Sequence, residues 1–274
     1  MLLLVTSASG VNGAGHGKLL AFNELGELLG PFSEDTRIID PRGLGVEGAL
    51  LFVNSGSDRI LALNGKGVVV RDSGTIVGLN PGGGNFGPGG RYYVGLRTAR
   101  TVMALVPTLD RPGELVLPSP AVPFPRGFAF GNDSTLYLAS GIGPNGDGDN
   151  TILAFDRERR IKSSWKVDDP ELSPLDLAIA PNGNVLVSSE HPFGASDATT
   201  TIREYDQKDG HLVRVLTPDR ETGFRKPRGL RFGPDGNLYC VSQDEVMVFD
   251  FANGKCLGTV VSLAGLNGQA VTFF

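Results

Sequence analysis

The sequence is poor in the residues that usually announce chemistry. Its 274 positions hold two cysteines, three histidines, three methionines and one tryptophan. Two cysteines, Cys240 and Cys256, exclude a disulfide-stapled scaffold. No apolar run approaches the roughly 18 residues of a membrane-spanning helix. The opening MLLLVTSASG lacks both a basic segment and a full apolar stretch, so it does not read as a signal peptide. A soluble, cytoplasmic chain is expected, although a trimmed secreted protein would read the same. Excess positive charge is also missing. The net charge is −5, which argues against a nucleic-acid binder, since such a protein needs a basic face to displace counterions. HExxH, CxxC, GxSxG and Walker sequences are all absent. Gly82, Gly84 and Gly87 fit GxGxxG, but they lead into a strand and its hairpin, so no dinucleotide site is expected. Long stretches free of glycine and proline are scarce, which excludes a helical bundle.

What is present is a repeat. One strand-like phrase occurs six times, as KLLAFN (18–23), RILALN (59–64), TVMALV (101–106), TILAFD (151–156), TIREYD (201–206) and EVMVFD (245–250). The starts lie 41, 42, 50, 50 and 44 residues apart. A second phrase precedes it: PRGLGVEGALLFVNS (41–55), PRGFAFGNDSTLYLAS (125–140), PLDLAIAPNGNVLVSS (174–189) and PRGLRFGPDGNLYCVS (227–242), with a glycine-heavy version at 81–96. Each second phrase is an apolar strand, a tight turn and another apolar strand. Glycine and asparagine supply the positive φ that hairpin turns need. Four antiparallel strands in about 45 residues is the spacing of a β-propeller blade. The expectation is therefore all-β: a six-bladed β-propeller with four antiparallel strands per blade, forming a single domain over 1–274. Residues 2–9 match the second strand of a blade, and 268–274 supply its missing first strand, so the C-terminal strand closes the ring onto the N-terminal blade. That pairing leaves no open edge.

The PxGLxFxPDGNLYxxS pattern followed by a ΦxxFDxxG strand resembles the NHL, streptogramin-lyase and gluconolactonase-type six-bladed propellers. The resemblance covers essentially the whole chain and implies the scaffold. It is less specific for activity, because this architecture serves hydrolases, lyases and protein-binding modules alike. Gluconolactonase-type members carry Asn and Asp metal ligands at first-strand starts. The matching positions here are Arg126, Leu175 and Arg228, which do not suit a divalent cation. Related lyases use channel histidines, and three histidines in all are too few for a three-histidine zinc site.

In such a blade the first strand lines the central channel, so its start marks the rim. In blade order those positions are Gln269, Arg42, Gly82, Arg126, Leu175 and Arg228. Arg42, Arg126, Arg228 and Gln269 are thus candidate substrate-binding residues. Guanidinium groups converging on a partly desolvated mouth would hold and polarise a carboxylate, lactone or phosphate oxygen. Alternatively, PRG is a turn feature whose arginine satisfies nearby carbonyls. Asp176 replaces the motif glycine in blade five only, where it would orient an arginine or act as a base. Long loops follow the second strands of blades one, four and five (7–18, 139–151 and 188–201), and elaborated loops on a rigid scaffold carry function. They hold His16, Glu190 and His191, which join Asp176 as candidate proton-transfer residues. Neighbours on an extended chain point apart, so Glu190 and His191 need not touch. Asn145, Asp147 and Asp149 alternate in GPNGDGDN, a spacing of hard oxygen ligands suited to Ca²⁺ or Mg²⁺, or simply a solvated loop. The expected partner is a small-molecule substrate rather than nucleic acid or membrane. The expected activity is that of a hydrolase or lyase acting on a lactone, ester or related carbonyl compound. The alternative is a non-catalytic propeller that binds a protein or peptide on the same face. Cys240 and Cys256 fall on a second and a fourth strand, beyond disulfide reach.

Overall fold

The computed structural model describes residues 1–9, 16–143, 146, 148–218 and 224–274. Within them lie six antiparallel sheets, five of four strands and one of three. Their inner strands are Gly268–Phe273, Gly43–Glu47, Pro81–Gly87, Pro125–Phe130, Pro174–Ile179 and Leu230–Phe232, in blade order. Their second strands are Leu3–Ser7, Leu50–Ser55, Arg91–Leu96, Leu136–Ser140, Val185–His191 and Leu238–Val241. The three-stranded sheet is blade four. Its fourth strand is reduced to a bridge between Phe155 and Ile161. The segment there, RERRIKSSW, offers few β-branched or aromatic residues to hold a strand, unlike VVRD in blade two or LVRVL in blade five.

The closing pair forms as the repeat requires. Leu3 pairs with Phe273 and Val5 with Val271. The core follows from the same arrangement. It divides into six apolar clusters, each shared by two neighbouring blades, and the sixth joins blade six to blade one through Val241, Val246, Leu3 and Val5. A strand buried on both faces must be apolar at successive positions, which is why phrases such as LLLV and LLFV show no alternation. Gly183 and Gly236 take positive φ in the PNGN and PDGN hairpins. Both cysteines are free thiols. Among the described residues no helix is long and apolar enough to cross a membrane.

One irregularity recurs where it matters. In blades three, four and five the inner strand gains a residue against its partner just after the starting proline. In blade one the break falls at Gln269. Such a bulge re-aims side chains that a regular pleat would send elsewhere. Adjacent residues at 126–127 and 175–176 line the channel beside it.

Candidate active site

The mouth of the channel encloses about 70 Å³ and is lined by Arg42, Arg97, Arg126, Arg228 and Arg231, with Asp176 as its carboxylate. Gln269 and the glycines of blade three complete the wall. The structure therefore brings together Asp176 and all four residues expected at the rim. It adds two arginines from other repeat positions.

Arg97 comes from the turn after the second strand of blade three. Blade three has Gly82 where blades two, four and six have arginine. The missing side chain leaves room, and a Cβ on Gly82 would lie 3.6 Å from Arg97 Nε. Arg231 follows the motif in blade six, at a position where other blades hold Gly45, Ala129 and Ala178. It reaches across the channel and donates to the Leu44 carbonyl of blade two at 3.1 Å.

The neighbours of each guanidinium define the electrostatics. Arg126 donates to the Ile142 carbonyl. Its Cζ lies over the rings of Phe124 and Phe193, 4.8 and 4.7 Å from their centroids. Arg228 donates to Gln269 Oε1. Arg42 donates to Asn80 Oδ1 at 3.1 Å. Burial pushes Arg97 down to about 9, helped by the like charges of Arg42, Arg126 and Arg228. Burial, and then Arg228, push Arg126 down to about 10. Arg228 is lowered chiefly by burial, which Glu190 opposes and Arg42 reinforces. Arg42 is lowered by burial against the pull of Asp40 and Asp58. Among the described residues, none of the five forms a salt bridge. The Nε atoms of Arg97, Arg126 and Arg231 are buried without a hydrogen-bond partner.

Asp176 is the acidic counterpart. Its Oδ2 accepts the Leu230 N–H at 3.0 Å, tying blade five to blade six. Burial pushes its carboxyl up to about 6, against the Leu230 hydrogen bond and the Arg231 charge, which favour ionisation. The approach depends on Gly127. A Cβ there would meet Asp176 Oδ1 at 2.2 Å and its Cα at 2.6 Å.

The other candidate residues lie elsewhere. Glu190 is fully buried. It accepts the Lys226 N–H at 3.1 Å and the Gly194 N–H at 3.4 Å, and it faces Arg225 at 3.8 Å. Arg225 in turn holds the Ala195 and Ser196 carbonyls at 2.8 and 2.9 Å. Glu190 thus pins the 192–198 loop that carries Phe193 onto Arg126. The sheet of blade five runs further than the repeat implied, pairing His191 with Thr199, so Glu190 and His191 sit on a strand. His191 is partly buried, its Nδ1 has no hydrogen-bond partner, and it does not line the mouth. His16 is exposed, and its backbone N–H donates to Ser7 Oγ at 3.0 Å. Asn145 and Asp147 lie outside the described residues, and Asp149 is exposed. One group with ligand atoms close enough for a cation occurs among the described residues, Asp206, Asp209 and His211. It belongs to the outer hairpin of blade five, at the end of the blade away from the mouth.

No family model matches the chain, and no curated protein matches it. Solved structures do. A streptogramin B lyase structure aligns with a TM-score of 0.63 at 13% identity, covering 85% of this chain and 72% of that one. A gluconolactonase from Xanthomonas campestris aligns with a TM-score of 0.63 at 16% identity, covering 85% and 79%. A chain of a nidogen/laminin complex aligns with a TM-score of 0.73 at 14% identity, covering 99% and 97%. At such identities the likeness is one of fold, and that fold is the six-bladed β-propeller.

Proposed function

We propose that this propeller is a small-molecule hydrolase or lyase whose site is the arginine-lined channel mouth. The observation that carries the reading is a lone, proton-accepting carboxylate, Asp176, enclosed with five guanidinium groups. A carboxyl near 6 is ionised at neutral pH yet retains more basicity than an ordinary aspartate, which suits a general base. In the proposed step Asp176 takes a proton from substrate or from water. The electron pair released, as a new water-oxygen bond to the carbonyl carbon or as an enolate, moves charge onto the substrate carbonyl oxygen, where guanidinium donors stabilise it. The pair then returns as the bond to the leaving group breaks, and the leaving group takes the proton from Asp176. Arg126, packed against two aromatic rings, is the preorganised donor. The folds shared with a lyase and a gluconolactonase support the reaction class. Turnover of a panel of lactones and esters by wild type, Asp176→Asn and Arg126→Met tests it. Loss in both variants is expected, and full turnover in both would refute the assignment.

The second reading is a non-catalytic module for a protein partner, favoured by the whole-chain likeness to a chain of the nidogen/laminin complex. A stoichiometric partner whose binding is indifferent to Asp176→Asn and Arg126→Met would support it.

A further inference from the structure

Several arginines outside the mouth are held by carboxylates. Arg37 pairs with Asp35 and Asp72, Arg203 with Asp169 and Glu171, and Arg214 with Glu204. The protein as a whole carries five more acidic than basic residues. Yet five guanidiniums converge on about 70 Å³ with one carboxylate among them. Within the lining that leaves four positive charges in excess, offset only from outside it by Asp40 and Asp58 beside Arg42 and by Glu190 toward Arg228, in a place where burial makes each one costly.

Binding a single negative charge would still leave the lining with more guanidiniums than anionic groups. Three Nε–H groups, on Arg97, Arg126 and Arg231, are buried and unpartnered. A guanidinium edge presents Nε–H and Nη–H as a two-pronged fork that matches two oxygens of one anionic group. Arg97 has the whole of such an edge unpartnered, while Arg126 and Arg231 each spend one terminal nitrogen on a backbone carbonyl. Five guanidiniums nevertheless offer more donors than one carboxylate has oxygens to accept. A space of about 70 Å³ is on the scale of a compact headgroup.

We infer that the mouth recognises a compact dianion, with Arg97 and Arg231 as its specificity-determining residues. Phosphate monoesters and short dicarboxylates share this chemistry. The inference rests on the mouth being the functional site and deepens that reading by naming the substrate class. Arg97 supplies from a turn what the Gly82 position of the repeat lacks. Arg231 supplies the far wall, fixed by its bond to the Leu44 carbonyl.

Isothermal titration of the intact chain with inorganic phosphate, succinate and acetate at fixed ionic strength tests the inference. Phosphate or succinate is expected to bind at least about tenfold more tightly than acetate, the scale of one well-formed charge-assisted contact. Preference for phosphate assigns phosphate esters, and preference for succinate assigns dicarboxylates. Arg97→Met and Arg231→Met should each lose about tenfold, with circular dichroism unchanged. Arg97→Lys, which keeps the charge without the fork, covers the case in which the methionine variant fails to fold, and should fall between wild type and complete loss. Arg160→Met, on an exposed outer turn, should change nothing. Equal affinity for all three anions, or full affinity in the Arg97 and Arg231 variants, would overturn the inference. Dianion binding with no turnover of any carbonyl substrate would leave it standing and remove only the enzymatic reading. Turnover of neutral lactones without dianion preference would do the reverse.

Discussion

Replacing Arg97 by methionine should make the ligand-free protein more stable. The guanidinium is held at about 9 against an ordinary 12.5, first by burial and then by three neighbouring arginines. At about 1.4 kcal/mol for each tenfold change in proton affinity, keeping Arg97 charged in the fold costs on the order of 4–5 kcal/mol. Relaxation and water penetration take up about half of that, leaving a return of about 2 kcal/mol. Methionine keeps the apolar stem, so little packing is lost. For a chain of this size the expected rise in melting temperature is roughly 4–8 °C, measured by calorimetry in a buffer without polyvalent anions. The sign with pH follows. A base whose folded affinity is depressed penalises the fold fully below 9, and the penalty fades as pH rises toward 12.5. The advantage of the variant should therefore persist across the neutral range and shrink in alkali. Added sodium chloride should also shrink it by screening the arginine cluster. An unchanged or lower melting temperature in the variant would refute the reasoning, since it would mean that Arg97 already has its partner.

Three further outcomes follow from the same geometry. Asp176→Asn keeps an acceptor for the Leu230 N–H but removes a carboxylate whose folded proton affinity is raised, so its gain appears as pH rises from 3.8 through 6. Urea unfolding should show it about 2–3 kcal/mol more stable at pH 7 and equal to wild type below pH 4, and wild-type turnover should fall on an acid limb near 6. Glu190→Gln weakens the tie to Lys226 and Arg225 and should cost about 1–3 kcal/mol in urea unfolding, with cleavage in the 192–198 loop under limited proteolysis. Gly127→Ala forces a methyl into Asp176 and should cost about 1–3 kcal/mol in thermal unfolding while abolishing turnover.

The architecture was legible because a blade is a local unit repeated. Each phrase fixes two strands and a turn, and the register of 268–274 against 2–9 follows from alignment alone. The reduced fourth strand of blade four was legible only in hindsight, in the polarity of RERRIKSSW. Arg42, Arg126, Arg228 and Gln269 could be placed together because they share one repeat position, and Asp176 because it breaks one. Arg97 could not, because it follows a second strand and enters the mouth only through the space above Gly82. Arg231 carried a signal in the repeat, a long charged residue where other blades hold Gly45, Ala129 and Ala178. Reading it required knowing that this position faces the channel. Glu190 shows the opposite limit. Its place beside His191 in a long loop pointed to proton transfer, but its hydrogen bonds to Lys226 and Gly194 come from distant chain and a loop return that spacing does not encode.

The most direct test of the account is a high-resolution crystal structure grown with inorganic phosphate. An oxyanion is expected in the channel mouth, its oxygens bonded to the guanidinium groups of Arg97, Arg126 and Arg231, with Asp176 adjacent. A cation coordinated by Asp176 in that position, or arginine side chains turned away from a mouth that holds only water, would contradict it.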